Sequence, residues 1–177
     1  MTEREIVNIQ YRVNSKLRYA KLHLGELLQK GTAGGDDFDR AHQESFLFHL
    51  IGVKDAFVIE LCKYYGIACE GEKVSAGWLR KKLADRGLVS TELTELYTLE
   101  NDENSWLSNA KSIRDYSMHV SNVPRHFHAG GENEHKVIIS VPRTGKKTEQ
   151  HINDDFQIWL NNMHELIGRL RHSALSR

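Results

Sequence analysis

Between Glu3 and Lys30 the apolar residues Ile6, Ile9, Val13, Leu17, Ala20, Leu24 and Leu27 fall three or four apart without a break. On an α-helix this spacing gathers them into one stripe, whereas a strand would scatter them over both faces. A stripe this long can be covered only by other long helices, so the segment commits the chain to a helical bundle and favours a dimer seam as well. Thr2 and Glu5 fit a capping box at its start, and Gly31 with the loop Thr32–Asp37 ends it. The next stretch, from about Phe38 to Tyr65, is richer still in apolar residues, with Phe46, Leu47, Leu50, Val53, Phe57 and Leu61, and reads as the central core helix. Gly66 closes it.

The rest of the chain extends the same pattern. Ser75 caps a short helix that carries Trp78, Leu79 and Leu83 and ends at Gly87, and Ser90 or Thr91 caps another that carries Leu93, Leu96, Tyr97 and Leu99. After the polar run Asn101–Ser105, a helix runs from about Trp106 to Val120, and Pro124 prevents its continuation beyond about Asn122. The segment Arg125–Glu134 reads as an ordered loop. Val137–Val141 is a compact β-branched run, Arg143–Lys146 a turn, and Lys147–Ile152 the return strand of a hairpin. Asn153 or Asp154 then caps a final helix from Asp155 to about Arg171, with Phe156, Trp159, Met163, Leu166, Ile167 and Leu170 on one face. The expected fold is all-α: a bundle of four to five helices in one domain over residues 1–177, with a small β-hairpin insertion at about 136–152 before the last helix.

Composition narrows the function classes. The chain of 177 residues balances 24 basic against 24 acidic side chains, so any case for nucleic-acid binding must be local. No apolar run is long enough to span a bilayer, and the acidic start Met-Thr-Glu-Arg-Glu differs from a secretory leader. Cys62 and Cys69 lack a CxxC spacing, and Cys62 falls on an apolar helical face, which suits a buried structural thiol. The expected setting is a reducing cytoplasm, with no membrane partner.

The sequence becomes specific at Arg114-Asp115-Tyr116-Ser117-Met118-His119. Asp115 and His119, four apart, are neighbours on one helical face, where a carboxylate can orient an imidazole. Arg114 points about 100° away from Asp115, although its long guanidinium can reach a phosphate held near His119. RNA cleavage by transesterification needs a base for the 2′-hydroxyl, an acid for the 5′-oxygen and a cation for the phosphorane, which suits histidine and arginine. Arg18 and His23 repeat the spacing, but Tyr19 follows Arg18 where the pattern has a polar residue.

An arginine, then Asn, His or Asp, then three residues and a histidine resembles the motif of the HEPN superfamily, small helical bundles that include prokaryotic toxin and phage-defence ribonucleases. The resemblance covers the helical layout and about six motif residues. It implies a homodimer that pairs two motif helices and cuts RNA without metal or cofactor, as a toxin or defence effector with an antitoxin or other protein partner. Arg114 would then stabilise the transition state, His119 would be the acid–base group, and Asp115 would orient it.

Local charge agrees: seven Lys/Arg and three Asp/Glu lie between Lys111 and Lys147. Within that stretch Arg125, His126, Phe127 and His128 join basic and aromatic groups, as RNA contact requires. Two other readings remain. One is a HEPN-like module that binds RNA, a nucleotide or a protein without cutting. The other is a metal-dependent hydrolase built on His126, His128, Glu132, His135 and His151, whose spacing matches no familiar zinc pattern. The remaining histidines, His23, His42, His49, His164 and His172, share no spacing and read as surface or core-edge residues.

Overall fold

The computed structural model describes residues 2–30, 36–70, 72–120, 125–127, 137–148 and 151–176. Among them are six helices: α1 (Glu3–Lys30), α2 (Asp37–Tyr64), α3 (Ala76–Ala84), α4 (Thr91–Asn101), α5 (Trp106–His119) and α6 (Ile152–Leu175). Two short strands, β1 (Arg125–Phe127) and β2 (Val137–Ile139), lie between α5 and α6.

Local chemistry sets most of the boundaries. Thr2 Oγ1 accepts from the Glu5 N–H at 3.3 Å, and the Glu5 carboxylate accepts from the Thr2 N–H at 2.7 Å, completing the capping box of α1. Asp36, Ser75, Ser90 and Ser105 cap α2, α3, α4 and α5 in the same manner, each accepting from an N–H three residues on. Gly66 and Gly87 take positive φ values of 61° and 68° just beyond α2 and α3, a conformation that costs glycine nothing.

Helices α1 and α2 form an antiparallel pair, with Lys30 against Asp36, His23 against His42, Lys16 against His49 and Gln10 against Tyr64. Helix α2 is buried on nearly every side, through Phe46, Leu50, Val53, Phe57 and Leu61, because α5 and α6 pack on the faces α1 leaves open. Phe46 stacks on Phe156 of α6 with ring centroids 4.4 Å apart. Cys62 is wholly buried, and burial first, then the neighbouring Cys69, pushes its thiol pKa up to about 12, so it is structural and not reactive. No helix among the described residues is long and apolar enough to cross a membrane.

Three expectations change. The β insertion is a hairpin, but β2 pairs antiparallel with β1, with Arg125 opposite Ile139 and Phe127 opposite Val137, so the start of the expected loop is a strand. Among the described residues the expected return strand makes a single bridge, Ser140 to Lys147. Beside it the Thr148 N–H donates to the Ile139 carbonyl at 2.9 Å and the Thr148 hydroxyl accepts the Ile139 N–H at 3.0 Å. Helix α6 starts earlier than Asp155. Its cap is the buried His151, whose Nδ1 accepts from the Asn153 N–H at 3.1 Å, and not Asn153 or Asp154. Residues 31–35, Asn122, Pro124 and 128–136 lie outside the described residues.

Candidate functional site

Helix α5 turns Leu107, Ala110 and Ile113 into the core and leaves Lys111, Arg114, Asp115 and His119 toward the surface. The motif pair does not close as its spacing suggests. Arg114 Nε lies 3.0 Å from Asp115 Oδ1, an ion pair without hydrogen-bond alignment, so the carboxylate leans to the arginine. Among the described residues no hydrogen bond or ion pair joins Asp115 to His119.

His119, exposed in the last turn of α5, opens with Asp115 on a cavity of ≈ 620 Å³ that is also lined by Lys111, Ser112, Tyr116 and Arg143. Arg143 arrives from the turn after β2, which is closed by the Val141 N–H donating to the Lys146 carbonyl at 2.8 Å and by Gly145 at φ 69°. Its backbone N–H donates to Ser112 Oγ at 2.9 Å and its guanidinium to Ser108 Oγ at 3.1 Å, pinning the turn to α5 beside His119. Arg143 was legible in the sequence only as a turn residue. Arg114 faces a different cavity, of ≈ 690 Å³, among α1 to α5. Lys111 borders both.

The loop residues expected to touch RNA divide. His126 Nε2 lies 2.8 Å from Ser140 Oγ, a contact within the hairpin. Arg125 is half-buried against α2, bordering Gln43, Glu44 and Leu47 and facing Ile113 and Ser117 of α5, with its Nη1 buried and without a partner among the described residues. Burial, and then the like charge of Arg40, push its pKa down. It is not brought to the His119 cavity. The side chain of Phe127, and His128, lie outside the described residues.

The histidines weighed as metal ligands also separate. His151 is spent on the α6 cap, and burial pushes its pKa down against the pull of Asp154 and Asp39. His128, Glu132 and His135 lie outside the described residues, within which no three His, Cys, Asp or Glu side chains are placed to hold a metal.

The structure does assemble a histidine group that spacing alone misses. His23 and His42 place their Nδ1 atoms 3.2 Å apart, and the His49 ring stacks on His23 at 5.6 Å, with Lys16 Nζ 3.3 Å from His49 Nδ1. Folding α1 back on α2 sets positions equidistant from the turn opposite each other, which is how three residues of unrelated spacing meet. Burial first, then like charges (His42 for His23, Lys16 for His49), push the pKa values of His23 and His49 down. As pH falls, the unfolded chain therefore takes up these protons before the folded one does. Their contribution to stability is full above the ordinary histidine value of about 6.5 and is lost as pH falls through the lower folded values. The melting temperature should thus drop between pH 7.5 and 5.5, and by less in a His23→Gln/His49→Gln variant. Equal drops in the two proteins would remove these histidines as the cause.

Residues 7–176 fit the model of a family of unknown function (DUF6586), and the chain belongs to that family. No curated protein and no solved structure matches it.

Proposed function

We propose that this chain is a HEPN-like ribonuclease that acts as a homodimer and cuts RNA by attack of the 2′-hydroxyl, without a metal. The observation that carries the reading is the His119 cavity, where an exposed imidazole stands with two cations, Lys111 and Arg143, in a space open to solvent. Imidazole moves protons near neutral pH, and the cations stabilise the charge that collects on the phosphorane. Base and acid act at opposite ends of the scissile bond, and among the described residues each cavity is lined by one histidine. A second copy that apposes its own α5 supplies the other, which is why the reading requires a dimer. In it Arg114 serves the phosphate from the far side of α5, across the dimer.

The alternative of binding without cutting is favoured by a specific observation: Arg114 is engaged by Asp115 and borders a different cavity from His119. Purified protein incubated with total RNA in EDTA separates the readings. Cleavage is expected, with products ending in 2′,3′-cyclic phosphate and none from a substrate carrying a 2′-deoxy sugar at the cut. RNA retained but intact would overturn cleavage in favour of binding, and activity only without chelator would favour a metal-dependent hydrolase. Light scattering should give a dimer at micromolar concentration; a monomer would count against the reading.

A further inference from the structure

The larger cavity, which the cleavage reading leaves unused apart from Arg114 and Lys111, has the stronger electrostatic character. Four helices bring six cations to its wall: Arg12 and Lys16 from α1, Lys54 from α2, Arg80 from α3, and Lys111 and Arg114 from α5. Only two carboxylates, Asp55 and Glu100, share the lining, in a chain whose formal net charge is zero. Like charges are not concentrated in a concave space without cost, since each raises the potential felt by the rest. The two acids are already engaged. Glu100 bridges Lys54, at 2.9 Å, and Lys111, and Asp55 lies 3.3 Å from Lys54. Arg12, Lys16 and Arg80 have no carboxylate within 4.0 Å among the described residues.

Backbone features point the same way. The N-terminus of α3 opens here, through Ser75, Ala76 and Gly77. Ser75 Oγ accepts the Trp78 N–H at 3.1 Å, and earlier N–H groups of the first turn remain as donors, together with the positive end of the helix dipole. The Lys16 stem passes over Gly52 of α2, where a Cβ would meet Lys16 Cδ and Cε at 3.4 Å, an ordinary contact.

We propose that this cavity is a binding site for a compact anion carrying several phosphates, recognised through those phosphates alone. Its volume of ≈ 690 Å³ falls in the range of small-molecule sites, about 300–1,000 Å³. Recognition of a base is disfavoured because a cation already stands over each aromatic ring at the cavity, Phe48 and Tyr97. A stacking base would compete with it, although both rings stay about half exposed. Lys16 Nζ stands 4.6 Å from the Phe48 centroid, and Arg80 Cζ 5.2 Å from that of Tyr97. The ligand is therefore an inorganic polyphosphate, or a nucleotide held by its phosphate tail with the base outside. This site shares Lys111 and Arg114 with the cleavage reading, whereas Arg12 and Arg80 lie outside the His119 cavity and test it separately.

Calorimetry of the full chain at 0.15 M salt with inorganic tripolyphosphate, ATP, UTP and adenosine tests it. Tripolyphosphate should bind saturably, one per chain. ATP and UTP should match each other within about twofold if the base is not read, and adenosine should give no heat, since phosphate contacts carry no base information. Arg12→Ala and Arg80→Ala should each weaken tripolyphosphate on the order of tenfold or more, the loss of one charge-assisted contact. Arg4→Ala, a charge change outside the cavity, should leave binding unchanged. Absence of saturable tripolyphosphate binding, equal loss in all three variants, or binding confined to one base would each overturn the proposal. RNA cleavage is measured separately, so either reading can fail alone.

Discussion

His119→Ala is expected to lower RNA cleavage by about 10²–10⁴-fold, the usual worth of a positioned acid–base group. The same change should move the melting temperature by only about 1–2 °C, because His119 is exposed and such substitutions shift stability by about 0.5 kcal/mol or less. Arg143→Ala should lower kcat while folded protein remains abundant, since its guanidinium is held by one serine hydroxyl and the turn keeps its backbone anchor to Ser112. Arg114→Lys should also impair cleavage, because an ammonium keeps the charge and loses the planar fork. Asp115→Asn discriminates between two arrangements. If Asp115 oriented His119, the change would lower kcat, whereas an Asp115 that leans on Arg114 leaves kcat within about twofold. Unchanged cleavage by folded His119→Ala protein would sink the catalytic assignment altogether.

The helices were legible because their signals are local. The stripe of α1, the Thr2–Glu5 box and the Ser75 and Ser90 caps each depend on residues within one or two turns, where side-chain chemistry decides. The cap of α6 was not legible, since Asn153 and Asp154 carry the stronger local preference. His151 prevails because tertiary packing buries it where its Nδ1 meets the Asn153 N–H. The β partner was missed for a similar reason: two candidate segments flank Val137–Ile139, and among the described residues one forms a ladder with it and the other a single bridge beside it. The division of the motif was half legible. Five helical positions separate Arg114 from His119 by about 140° around the axis, whereas Asp115 and His119 differ by about 40°. The arithmetic predicts two faces; the cavities behind them depend on α1, α3, α4 and the Arg143 turn, and no local pattern in α5 specifies those.

Arg171→Ala is expected to destabilise the fold by about 3–5 kcal/mol, the cost of leaving a buried ion without its partner. For a chain of this size that corresponds to a fall in melting temperature of about 6–20 °C. The side chain of Glu60, on α2, is wholly buried, and Arg171 of α6 meets it through two bonds, Nε to Oε1 at 2.7 Å and Nη2 to Oε2 at 2.8 Å. Tyr64 also donates to Oε1 at 2.7 Å, and Arg171 Nη1 donates to Asn14 Oδ1 at 2.8 Å, so one guanidinium joins α6, α2 and α1. Arg171→Lys should recover only part of the loss, since a single ammonium cannot reproduce the fork. The larger effect should come from the stranded carboxylate and not from lost attraction, and a second substitution separates the two. Glu60→Gln added to Arg171→Ala removes the buried charge and should restore part of the stability, although both partners of the pair are then gone. Replacing both residues by methionine should be close to neutral, because well-packed apolar side chains avoid the desolvation that the pair must offset. Urea denaturation of the four variants measures each difference. A loss below about 1 kcal/mol in Arg171→Ala would show that Glu60 reaches water when its partner leaves, and that the three-helix joint is held by packing alone.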